Sequence, residues 1–244
     1  MVPRPLSAGP IAWATLIAIL ILAVACAPAP PSTPTPTLTA QEKKRLPTAT
    51  PLPRLADSPD AVAPRSSVYL DGLKVPVGLV FAPDGRLFFS EVFTGNVRVA
   101  ERDGDRARLL EQPFVSLEIA KGAEAGVLGL ALDPDFEHNR WVYLYYSEPD
   151  PTRRDRVPRR NRVVRFTERD NVGIEMTVIL DDIDMAREGR HNGGRLAFGL
   201  DGKLYVTVGN AQDRSHSQDM RRPNGKILRI NPDGSIPADN PFPG

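Results

Sequence analysis

The chain has 244 residues, 41% hydrophobic, 25% charged and 7% aromatic, a balance that supports a packed core and excludes a fibre or a wholly disordered chain. Its 31 Lys and Arg nearly cancel its 30 Asp and Glu, so no strong field recruits nucleic acid by counterion release. The single cysteine excludes an intrachain disulfide and a thiolate-rich zinc site.

Ile11 to Ala25 form an apolar run broken only by Thr15, preceded by Arg4 and closed by small residues. This is the layout of an export signal over residues 1–25, and it is short of the ~20 residues a bilayer span needs. The run ends in Ala23-Val24-Ala25-Cys26, which resembles the lipobox of bacterial lipoproteins and makes Cys26 the expected lipid anchor. Cleavage after Ala25 and an uncleaved signal anchor are the alternatives. Residues 26–66 are rich in Pro, Thr and Ala and cannot build a core. They are expected to form a disordered, extended spacer holding residues 67–244 off a membrane, at the cell surface or in the periplasm.

From Val68 the pattern changes to short apolar alternations punctuated by Asp-Gly turns. Gly78–Phe81, Leu87–Ser90, Val97–Val99 and Arg106–Leu110 read as four antiparallel strands. Val127–Leu132, Trp141–Tyr146, Asn161–Phe166 and Met176–Leu180 repeat the order. A third group runs through Gly194–Phe198, Leu204–Val208 and Lys226–Ile230 with no evident fourth strand. Asp84, Asp135 and Asp201 fall in register 51 and 66 residues apart, the mark of a β-propeller built of four-stranded blades. A Greek-key sandwich is the alternative, and it predicts no such register. The fold expected is all-β, about three blades of a propeller. Since rings close with ~4 to 8 blades, position 244 is expected to be a truncation point.

Propellers place chemistry on loops at one end, and the loop Arg190-His191-Asn192-Gly193-Gly194 stands out. A histidine can take a proton from a hydroxyl, which makes His191 a candidate general base; the alternative is a surface turn in which Asn192-Gly193 makes the bend and His191 is a bystander. Asn210 follows the second strand of that blade, and the two are expected to meet only if a loop reaches inward. The run Arg153–Arg160 reads as a solvated loop and Asp181-Asp182-Ile183-Asp184 as an acidic turn that lacks the ligand alternation of a calcium loop.

Three ordered motifs carry a resemblance: Glu124-Ala125-Gly126-Val127-Leu128-Gly129 through Asp133-Pro134-Asp135-Phe136, then His191-Asn192-Gly193-Gly194-Arg195-Leu196, then Gly225-Lys226-Ile227-Leu228-Arg229-Ile230 through Asn240-Pro241-Phe242. Together they resemble the glucose/sorbosone dehydrogenases, sugar oxidoreductases that use pyrroloquinoline quinone (PQQ). The resemblance implies a six-bladed propeller, PQQ and Ca²⁺ as cofactors, an aldose substrate oxidised to a lactone and an external electron acceptor. It places His191 on the general base, Asn210 where family members usually carry Asp, and Glu124 where soluble members have a PQQ-contacting glutamine. It also puts most cofactor contacts beyond residue 244, so this chain alone is expected to be inactive, and no metal ligand is assigned within it. Two alternatives remain. One is a non-catalytic cell-surface propeller that binds carbohydrate or protein; the other, a lactonase, would need a carboxylate cluster on the channel that the sequence does not offer.

Overall fold

The computed structural model describes residues 66–242; the apolar run Ile11 to Ala25, Cys26 and the spacer up to residue 65 lie outside them. Among the described residues no helix is long and apolar enough to cross a membrane, and twelve strands form three antiparallel sheets. The first holds β1 (Pro76–Phe81), β2 (Leu87–Glu91), β3 (Asn96–Asp103) and β4 (Arg106–Leu109), with β5 (Val115–Ser116) also paired to β3. The second holds β6 (Val127–Leu132), β7 (Trp141–Pro149), β8 (Pro158–Arg169) and β9 (Val172–Asp184). The third holds β10 (Gly193–Phe198), β11 (Leu204–Val208) and β12 (Lys226–Ile230).

The sheets meet through their first strands, β1 against β6 and β6 against β10. They therefore fan from a common line as three consecutive propeller blades, and the sandwich alternative, two opposed layers, is overturned. Near that line the backbones crowd. A Cβ on Gly129 would lie 2.0 Å from the Gly194 carbonyl oxygen, so only glycine permits the approach.

Each first strand carries a bulge at its upper end, between Pro76 and Leu79, Val127 and Gly129, and Gly193 and Leu196. In blades 1 and 3 the facing residue is hydroxylic and accepts a bulge N–H: Gly78 donates to Ser90 Oγ at 3.1 Å and Arg195 to Thr207 Oγ1 at 2.9 Å. The bulge is thus a repeated feature of the fold, satisfied locally.

At the opposite, lower rim the first two strands of blades 1 and 3 join through the same turn. Asp84 Oδ1 accepts the Arg86 N–H and Asp201 Oδ1 that of Lys203, both at 3.1 Å, with Gly85 and Gly202 at φ 88° and 70°. Blade 2 differs because no glycine follows Asp135. There the chain forms a short helix, α1 (Phe136–Asn139), which buries Phe136 and ends on left-handed Arg140.

Strand alternation divides the core into two seams. From β7, Val142, Leu144 and Tyr146 point to blade 1 and join Phe88, Val97, Val99 and Phe114. Tyr143 and Tyr145 point to blade 3 and join Leu196, Leu204, Val206 and Val208. β7 is buried on both faces because it stands between two blades, and each large side chain there contributes roughly 1.5–3 kcal/mol by leaving water.

Two local expectations change. Asp181–Asp184 is not a turn: it closes β9, bulged at left-handed Asp182, and arginines on the neighbouring strand β8 satisfy it. Arg162 grips Asp181 at 2.8 Å, while Arg160 bridges Glu148 and Asp182, each at 2.6 Å. The Arg153–Arg160 run is a loop only in its first part, where Arg153 pairs with Asp155 at 2.8 Å; from Pro158 it is β8.

Candidate active site

His191 and Asn210 lie at the upper rim, two residues outside the pair Gly193–Val208 that opens the β10–β11 ladder. The start of one strand and the end of its antiparallel neighbour share a rim, so the two residues meet without any loop reaching inward, contrary to the sequence expectation. His191 Nδ1 lies 2.9 Å from Asn210 Oδ1. The same oxygen accepts the Gln212 backbone N–H at 3.2 Å, which identifies that end of the amide as the acceptor. Nδ1 therefore carries the proton. The lone pair of the imidazole is on Nε2, on an exposed side chain, where it can accept a proton.

The backbone at His191 is in the left-handed region, φ 56°, a conformation that costs a non-glycine residue about 1–2 kcal/mol. Neighbouring groups hold it there. The His191 N–H donates to Glu124 Oε2 at 2.8 Å, and its carbonyl accepts the Ala211 N–H at 3.3 Å. The Asn192 carbonyl accepts both the Gly209 N–H at 3.0 Å and the Tyr145 hydroxyl at 2.9 Å. Burial pushes the Tyr145 hydroxyl well above its usual range, so it stays protonated and keeps donating. Gly209 is required by contact: a Cβ there would sit 1.8 Å from the His191 carbonyl oxygen.

Glu124, singled out as a cofactor contact, is exposed and stands on the loop before β6, where its carboxylate braces the His191 loop. Sequence reasoning missed Tyr145, Ser147, Asn161 and the buried role of Asn192. In the sequence Asn192 stands out only as part of an alternative Asn-Gly bend; Ser147 and Asn161 leave a weak trace, as polar interruptions at the ends of apolar strands. Among the described residues no three His, Cys, Asp or Glu side chains converge as a cation site. An open groove of about 510 Å³, lined by Asp213, His216, Asp219 and Arg222 among others, lies on the loop after Asn210 and does not include His191.

Residues 73–244 match the family model described as Glucose / Sorbosone dehydrogenase. The chain belongs to that family. It is 30% identical over 199 residues to quinoprotein glucose dehydrogenase B of Acinetobacter calcoaceticus, covering 71% of this chain and 40% of the relative. It is also similar to the PQQ-bound structure of aldose sugar dehydrogenase from Streptomyces coelicolor, with 30% identity, a TM-score of 0.64 and coverage of 73% of this chain and 51% of that one. The Hedgehog-interacting protein of Mus musculus is 29% identical over 201 residues, 70% of this chain and 27% of the relative. The chain thus spans about half or less of the length of these relatives, as three blades would of a six-bladed ring. Within this glucose/sorbosone dehydrogenase chain, the rim that holds His191 is assembled jointly by blades 2 and 3.

Proposed function

We propose that the whole protein is an exported, membrane-anchored, PQQ-dependent sugar dehydrogenase, held through Cys26, that oxidises the anomeric hydroxyl of aldoses and passes electrons to an external acceptor. The observation that carries this proposal is the His191–Asn210 pair: an exposed imidazole with Nδ1 committed to an acceptor and Nε2 free, at the rim of a propeller of this family.

The residues present fit such a cofactor in one respect, the base that the chemistry requires; the described residues gather no cation ligands, so no step is assigned to calcium. PQQ, when bound, supplies the two-electron acceptor. The chain's own part is proton transfer. His191 Nε2 takes the hydroxyl proton while Asn210 Oδ1 accepts from Nδ1–H, fixes the tautomer and remains bonded to the imidazolium. Glu124 and Asn192 hold the loop that aims the ring. Because Asn210 is uncharged, the imidazolium gains a hydrogen bond but no counter-charge, which makes His191 a weaker base than one paired with a carboxylate.

The test is dye reduction by the whole protein with a panel of aldoses after loading with PQQ and Ca²⁺, compared with His191→Gln in the same protein. The expected loss is about 100-fold or more, the usual contribution of a positioned base. Full activity in the variant, or no reduction with any aldose in the parent, overturns the proposal. The neutral Asn210 favours one second reading, a propeller that binds a glycan or protein without turnover. Glycan binding with no dye reduction would select it.

A further inference from the structure

Three buried polar side chains form a line that the proposed chemistry leaves unused. Ser147 on β7 and Asn161 on β8 face each other as a cross-strand pair, both with no exposed surface. They end the rows that begin with Tyr143 and Tyr145 on β7 and Val163 on β8, where apolar residues fill the seam with blade 3. Ser147 Oγ donates to Asn161 Oδ1 at 2.8 Å, and Asn161 Nδ2 donates to Asn192 Oδ1 at 3.2 Å. Asn192, 3% exposed, then uses Nδ2 to hold the carbonyls of Gly189 at 2.9 Å and Glu124 at 3.1 Å. Both amides are thus oriented throughout, and the line ends on the carbonyl of Gly189, two residues before His191, and on that of Glu124, whose side chain holds the His191 N–H.

An apolar pair at 147 and 161 would continue the seam, and burying amides is unfavourable unless every group is bonded. What the polar line adds is direction. It fixes the loop 189–192 from the neighbouring blade, and with it the left-handed His191. We propose that Asn161 and Asn192 are positioning residues for His191, holding the loop from blade 2 so that the imidazole meets Asn210 in a single tautomer. This rests on His191 being the base.

The full chain, labelled with ¹⁵N, has three imidazoles to observe, His138, His191 and His216, and His191→Gln assigns its own signals. Ring ¹⁵N shifts distinguish the Nδ1–H from the Nε2–H tautomer, and the parent is expected in the former at His191. Asn161→Leu, similar in size but unable to donate, is expected to reduce that preference about fivefold, the weight of one ordinary hydrogen bond, with His138 unchanged. Asn161→Asp still accepts from Ser147 but gives Asn192 no donor, and is expected to match the leucine variant. Folded Asn161 variants with parental His191 shifts overturn the proposal, whatever their melting temperatures. If neither variant folds, Ser147→Ala decides: a smaller change in the same direction supports the proposal and unchanged His191 shifts overturn it. Dye reduction plays no part in this readout. Activity that survives His191→Gln would sink the dehydrogenase reading, while an insensitive tautomer would sink only the positioning proposal.

Discussion

The two rims of this half-ring are built on different principles. At the lower rim each turn closes on itself: Asp84 bonds the N–H two residues on, as do Asp201 and Asp233. At the upper rim the bonds that hold the backbone at His191 come from distant parts of the chain. The His191 N–H is held from 67 positions away, and the Asn192 carbonyl is bonded by a tyrosine 47 positions away. Local turns make a scaffold that tolerates change one turn at a time. A loop tied to two blades makes a geometry, and a change in either blade reaches His191. Stability and chemistry should therefore separate by rim.

The strongest test of that separation is Arg86→Met. Arg86 carries a long tie of the lower rim, a forked contact from the β1–β2 turn to Glu168 at 3.0 and 3.3 Å, and the Glu168 side chain is only 5% exposed. Removing the guanidinium leaves a buried carboxylate with the Asn171 N–H at 2.8 Å and Arg140 at 3.7 Å. These remaining partners limit the cost to about 2 kcal/mol, below the usual range for breaking a buried pair. Burial alone would push Glu168 up, but Arg86 and the Asn171 N–H outweigh it and hold the carboxyl below its usual range. A carboxyl lowered in this way stabilises the fold above its unfolded value of about 4.3, and that contribution is lost as pH falls through the folded value. Urea unfolding should therefore show the variant's deficit at pH 7 and a smaller one below about pH 4, with the His191 shifts unchanged at pH 7. A change at His191 would join the two rims and break the comparison.

The same division governs how much the sequence discloses. Asp84-Gly85 and Asp201-Gly202 announce their turns because the bonding partner lies two residues along, and their recurrence reveals the blades. Asp135 shares their register but lacks the glycine, and the helix at Phe136 takes the place of the turn. His191 and Asn210 stand out by residue type, yet their meeting follows from strand direction: the start of β10 and the end of β11 share a rim. Ser147 and Asn161 are not visible as site residues because their partner, Asn192, is distant in sequence and adjacent only when two blades pack. The acidic Asp181–Asp184 is misjudged for the same reason. The arginines that make it strand lie on β8, and no local pattern announces them.

Two smaller changes probe each rim alone. Asn210→Asp leaves the acceptor in place and adds a charge beside the imidazole, favouring its protonated form about tenfold at this half-exposed position. A group protonated more readily in the folded state adds stability below its unfolded value of about 6.5 and loses it as pH rises. The variant should therefore gain stability at pH 5 and match the parent near pH 9, and the midpoint of the His191 ring signals should rise. Gly202→Ala is the lower-rim counterpart. Its Cβ would meet nothing within 4 Å, so the only penalty is an alanine at φ 70°, about 1 kcal/mol. It should lower the melting temperature slightly and leave dye reduction and the His191 shifts untouched. A turn closed by its own Asp can strain without passing the strain on; a response at His191, across the height of the blade, would mean that the rims share one mechanical unit after all.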